Sequence, residues 1–127
     1  MLKHIKNLLK DKLTIIAILI TLSIAIISLV KIEKAPIQIN HVDKLEHTFA
    51  YFVLSLVWLL ALKTTKINKY ITVFCCFFYG IIIEVLQVTT TSYRSGEVLD
   101  IMANTTGILI AFIVYNFFLR KIKLFKD

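Results

Sequence analysis

Four stretches of the chain are almost unbroken in apolar residues, and short polar or charged segments separate them. The apolar runs cover residues 13–30, 48–62, 70–88 and 101–119. The first has 18 residues and would extend about 27 Å as a helix, close to the hydrocarbon thickness of a bilayer. It follows a basic start (Lys3, Lys6, Lys10, Lys12), as a secretory signal does. Lys31, Ile32, Glu33 and Lys34 stand where a small-residue cleavage site would lie, so the run is expected to be a retained span. The second run has 15 residues and reaches span length if Leu45, Glu46 and His47 form its first turn. Glu84 and Gln87 interrupt the third, while Asp100 directly precedes the fourth and Asn104 lies one turn into it. The pattern predicts an all-α, four-transmembrane-helix bundle in a single domain over residues 1–127, with spans at about 13–30, 45–62, 70–88 and 101–119.

Composition agrees with a lipid environment. Of 127 residues, 58% are hydrophobic and 18% charged, against about 45–50% and about 25% in soluble domains. A chain this short buries only about two-thirds of its unfolded surface, which would leave large apolar patches in water. An ordinary soluble enzyme and a disordered chain are both excluded. The net charge of +7 comes from basic residues at the edges of the apolar runs, a placement that suits anionic headgroups and not nucleic acid. Lys and Arg number eleven in the N-terminal segment, the 63–69 loop and the tail, against four in the other two connections. This asymmetry predicts that both termini are cytoplasmic. Pro36 falls in the first external connection, and the polar 89–99 segment forms the second.

With that topology the unusual residues collect at one membrane level. Asp43, Lys44, Glu46 and His47 lie at the outer end of span two, and Glu84 and Gln87 near the outer end of span three. Arg94 is in the outer loop, with Asp100 and Asn104 opening span four. Asp43, His47, Tyr51 and Ser55 recur every four residues, and so share a slowly drifting helix face. Gly80 precedes Glu84 by one turn, and Asp100, Asn104, Gly107 and Ala111 make a second stripe. Small residues at such positions permit close helix approach. Gly80 and Gly107 are therefore packing positions, and spans three and four are expected to meet along them and enclose Glu84.

Glu84 is the most informative residue. An ionisable group costs roughly 2.5–3.5 kcal/mol at mid-bilayer on insertion scales and less near the surface. Arg94, Lys44 and His47 are its candidate counter-groups; a functional site and a structural ion pair both fit. Asp43 one turn before His47 has the spacing of a carboxylate that orients an imidazole for general-base or nucleophilic work. His47, Glu84 and Asp43 are thus the candidate catalytic residues. Arg94, Lys44, Gln87, Asp100 and Asn104 are the candidate substrate-binding residues, with Arg94 suited to bidentate contact with phosphate or carboxylate. Asp100 has a second reading as the N-cap of span four, and Asn104 as an interhelical hydrogen-bonding residue. Asp43, His47, Glu84 and Asp100 could hold a divalent metal, but mixed ligands without a fixed motif do not define one, and no metal or cofactor is assigned. Cys75 and Cys76 point about 100° apart on a helix and read as packing residues. Trp58, the tyrosines and the phenylalanines read as lipid-facing or packing residues.

Three blocks, Asp43-Lys44-Leu45-Glu46-His47, Tyr79-Gly80 with Glu84 and Gln87, and Arg94 with Asp100, Asn104 and Gly107, resemble the VanZ-like family of bacterial membrane proteins. The resemblance runs from span two to the end of span four, with the blocks in order; Ala111 stands where the family often has glycine. It implies a multi-pass protein of the bacterial cytoplasmic membrane. The family is named for a protein associated with resistance to the glycopeptide teicoplanin, so an envelope lipid or cell-wall precursor is the implied partner. Two functions follow: an extracytoplasmic polar site that binds or modifies an anionic envelope molecule, or a non-enzymatic scaffold or accessory subunit whose buried polar residues are structural. A proton-coupled transporter is a third possibility, disfavoured by four spans without a repeat.

Overall fold

In lipid a helix must satisfy every backbone polar group internally, so a long apolar run without a breaker has one regular conformation open to it. The computed structural model describes residues 2–29, 40–63, 65–90 and 98–119, and among them all regular structure is helical. Four helices follow in order: α1 (Leu2–Leu29), α2 (Asn40–Ala61), α3 (Lys69–Thr90) and α4 (Val98–Phe117). Each is long and apolar enough to cross a membrane. Helix α1 is longer than its apolar run because the basic segment before it is helical too. Helix α2 likewise extends back to Asn40, about two turns before His47.

Several threonine hydroxyls are satisfied locally. Thr14, Thr21, Thr105 and Thr106 each donate to the carbonyl four residues earlier, at 2.7–2.9 Å, which removes a free hydroxyl from an apolar setting. Between α2 and α3 the chain turns over Thr65, whose hydroxyl donates to Leu62 O at 2.7 Å. Asn68 Oδ1 then accepts from Tyr70 N at 2.9 Å. That bond caps the N-terminus of α3 and satisfies one of its orphan donors.

The bundle is asymmetric. Helices α2 and α4 share the most extensive contact, α1 packs on α2 and α3, and α3 touches both α2 and α4. The inward face of α4 carries Asp100, Ala103, Asn104, Gly107, Ile108, Ala111 and Tyr115. The core at the bundle centre joins Tyr51 and Leu54 of α2, Cys76 of α3 and Ile108 of α4. Outward, Phe49, Phe74, Met102 and Ile113 are exposed, as expected of side chains whose solvent is hydrocarbon. Among the described residues of α1 only Ala17 is buried. Two donors nonetheless fasten that helix at Thr21: Trp58 Nε1 reaches its hydroxyl at 2.9 Å and the Tyr79 hydroxyl donates to its carbonyl. Gln87 Nε2 adds a bond to Ser28 O at 2.9 Å.

The glycines reveal where backbones touch. A Cβ on Gly107 would stand 2.9 Å from Phe52 N and nearer still to the Thr48 carbonyl, both backbone atoms of α2. Gly107 therefore packs α4 against α2 and not against span three, although Asn104 of the same stripe does meet Gly80 of α3. A Cβ on Gly80 would meet only side chains, Tyr51 at 3.1 Å and Asn104 at 3.3 Å. Gly107→Ala is expected to destabilise the bundle by about 1–3 kcal/mol, because rigid backbone must move. Gly80→Ala should be milder, since a ring and an amide can shift. Thermal unfolding of both variants in detergent checks the order.

Candidate functional site

Alternating helix direction brings the start of α2, the end of α3 and the start of α4 to the same end of the bundle. The contact at Gly107 sets how close α2 and α4 lie there. Thr48, whose carbonyl meets Gly107, turns its hydroxyl toward Ala103 O at 3.2 Å while also bonding Lys44 O at 2.8 Å. One turn from this point toward the helix ends lie Lys44 and Asp100, and their side chains form an ion pair. Asp100 is within the first turn of α4 and spends its carboxylate on α2, so its role is interhelical rather than that of a cap. The positive end of the α4 dipole also favours a carboxylate there.

His47 is the centre of the cluster. Its Nδ1 is 3.0 Å from Asn104 Oδ1 and 3.8 Å from Glu84 Oε1, and its Nε2 is 3.9 Å from Asp100 Oδ1. An amide oxygen only accepts, so Nδ1 carries the proton in that bond. Glu84 is 2% exposed and Asn104 2%, whereas the Lys44 side chain is 25% exposed at the rim. Two carboxylates, an imidazole and an ammonium from three helices thus lie side by side, mostly shielded from solvent. Such an arrangement can hold an anionic group at its rim, move a proton through the imidazole, or bind a cation between carboxylates.

The predicted residues divide in three ways. His47, Glu84, Lys44, Asp100 and Asn104 converge. Gln87, buried on α3 one turn beyond Glu84, donates its Nε2 to Ser28 O of α1. Arg94 and the side chain of Asp43 lie outside the described residues. Sequence reasoning placed Tyr51 on the His47 stripe without giving it a role. It is 2% exposed beside Glu84 and Asn104, with its ring tilted against Tyr79 at 6.2 Å. Its hydroxyl has no hydrogen-bond partner among the described residues. Nor are Trp58 and Tyr79 mere lipid-facing rings, since both donate to Thr21.

Four apolar helices, three of which bring polar side chains together at one end, define a helical-bundle membrane protein. The sequence profile of the VanZ/LLP1 family matches residues 3–119, and the chain belongs to that family. The match takes in α1 as well as the three blocks, so the likeness is wider than the motif-bearing spans alone. Comparison with curated proteins and with solved structures gave no match.

If the ion pair fixes the α2–α4 register, Lys44→Met should destabilise the protein by about 1–3 kcal/mol, because a buried carboxylate loses its ammonium. In an Asp100→Asn background the same change should have little effect. A double-mutant cycle on detergent-solubilised protein measures the coupling, and equal effects in both backgrounds would exclude it.

Proposed function

We propose that the chain is a single-domain, multi-pass protein of the bacterial cytoplasmic membrane whose polar cluster faces the extracytoplasmic leaflet and binds or modifies an anionic envelope molecule, a lipid headgroup or a cell-wall precursor. The observation that carries this reading is the convergence of Lys44, His47, Glu84 and Asp100 from three helices at one end of the bundle. A structural lock between two helices needs one polar pair; four ionisable groups exceed that need and cost more to shield. In this reading Lys44 at the rim, with Arg94 of the neighbouring connection, attracts the anion. His47 handles a proton, assisted by Glu84 and Asp43. Gln87, Asp100 and Asn104 complete the polar lining. An effect on glycopeptide sensitivity, including teicoplanin, would follow from a changed envelope.

The scaffold reading has support of its own, because the same side chains join helices: His47 to Asn104 and Lys44 to Asp100. Measuring membrane abundance beside envelope composition separates the two. His47→Ala, Glu84→Ala and Arg94→Ala are expected to accumulate at no less than about half the wild-type level while abolishing the difference in lipid or wall-precursor profile between wild type and a deletion strain. Disappearance of the variants from the membrane would instead favour the scaffold.

Orientation is tested separately. Lys66 lies exposed in the α2–α3 turn, at the end of the bundle opposite His47. A Lys66→Cys variant in a Cys75→Ala, Cys76→Ala background should react with a membrane-impermeant thiol reagent only after the cells are opened. Labelling of intact cells would reverse the topology and put the cluster on the cytoplasmic side.

A further inference from the structure

One donor atom from each of His47, Glu84 and Asp100 lies within 4.8 Å of the other two, and the three residues come from three different helices. We propose that they bind one divalent transition-metal ion, with Asn104 as the residue that positions the imidazole and Lys44 as the cation the metal displaces.

The tautomer supports this first. Asn104 Oδ1 accepts from His47 Nδ1 at 3.0 Å, so in the neutral ring the lone pair is on Nε2. Metal-binding imidazoles are oriented in this way, by a carbonyl or carboxylate on the far nitrogen. Nε2 faces Asp100 Oδ1 at 3.9 Å, too far for a hydrogen bond. Donors about 2.1 Å from a common ion stand about 3.4 Å apart at the tetrahedral angle, so closing the set on Nε2 requires shifts, the largest in Glu84, whose Oε1 lies nearest Nδ1 at 3.8 Å. Rotation of the Glu84 side chain and release of Lys44 from Asp100 can supply them.

Charge and surroundings agree with the geometry. Two carboxylates match an ion of charge 2+, and one nitrogen with two oxygens suits Zn²⁺ or Mn²⁺. The cation now on Asp100 is the Lys44 ammonium, whose side chain is the most exposed of the cluster and can swing to the rim. Two further polar atoms border the set. The Tyr51 hydroxyl and the Asn104 amide nitrogen are buried and have no hydrogen-bond partner among the described residues. Tyr51 follows His47 by one turn and Asn104 follows Asp100 by one turn, and both side chains lie against Gly80, one turn before Glu84. Both can donate to an oxygen ligand that completes the ion's shell. Unlike the four-residue set considered from sequence, the ligands do not need Asp43.

The inference rests on reading the cluster as a binding site, and its readout is independent of any envelope effect. The full chain, in a Cys75→Ala, Cys76→Ala background and purified in detergent, is stripped with a chelator and titrated with Zn²⁺. Bound metal is counted by mass spectrometry. About one zinc per chain is expected, and His47→Gln and Asp100→Asn should each abolish that stoichiometric binding. Asn104→Ala should weaken it about 10–100-fold, as loss of an orienting partner does. Lys44→Met keeps all three ligands and should bind more tightly, an effect that a purely structural cluster would not produce. Absence of saturable zinc binding in the unsubstituted site overturns the proposal, as does equal binding by folded His47→Gln and Asp100→Asn proteins. If the ligand variants do not fold, Lys44→Met and Asn104→Ala decide: opposite shifts support the site, and no shift in either removes it. A zinc-free protein whose His47 and Glu84 variants still lose the envelope profile would discard the metal and keep the binding reading. Zinc binding without any envelope effect would do the reverse.

Discussion

Helices α2 and α4 meet backbone to backbone where Gly107 lies under the carbonyl of Thr48 and the amide of Phe52. In a bilayer, helices gain little from hiding apolar side chains from one another, because lipid tails are as apolar as leucine. Close van der Waals approach and interhelical hydrogen bonds have to supply the association. Gly107 permits the approach, and the Thr48 hydroxyl beside Ala103 O adds a polar contact at the same level. Next to that point His47 meets Asn104, and one helical turn toward the ends Lys44 meets Asp100. Were the axes farther apart, these side chains would face lipid or require water.

The remaining helices are attached to this pair in different ways. Helix α3 brings Glu84 beside His47, and its Gly80 leaves room for Tyr51 and Asn104 between it and the α2–α4 pair. Helix α1 contributes a single buried residue among those described, yet three polar donors from α2 and α3 reach its backbone or its Thr21 hydroxyl. Hydrogen bonds to a threonine and to two helix carbonyls fix its rotation where packing is sparse. At the far end, Lys69 donates to Asn116 Oδ1 at 2.9 Å and stands over the rings of Tyr70 and Phe112. Its charge is shared among an amide and two aromatic faces. Among the described residues the two ends are chemically different: one is basic and aromatic, the other sets two carboxylates and a lysine around an imidazole.

That difference bears on function. A membrane helix can carry a polar residue for register, and the interhelical bonds described above serve that purpose. Register alone does not require two carboxylates next to one histidine, since like charges in a shielded place repel and each is costly to shield. An imidazole held in one tautomer by Asn104, with carboxylates on either side, is suited to holding a proton or a cation. The chain belongs to the VanZ/LLP1 family, and its four apolar helices suit a membrane protein.

Helix count, helix order and the membrane setting follow from the apolar runs alone, because a long uncharged stretch in lipid has only one way to satisfy its backbone. The polar residues of one level were also visible, since Glu84, Asp100, Asn104 and His47 break otherwise apolar or helix-initial segments. Spacing along a single helix shows which residues share a face, but not which neighbour that face meets. For that reason spacing alone does not show that Gly107 meets α2, that Gln87 reaches α1, or that Tyr51 packs against Gly80 beside Asn104. Pairings such as Lys44 with Asp100 span 56 residues of sequence. They are decided by the relative rotation and separation of whole helices, which depend on the summed contacts of many side chains and leave no local mark in the sequence.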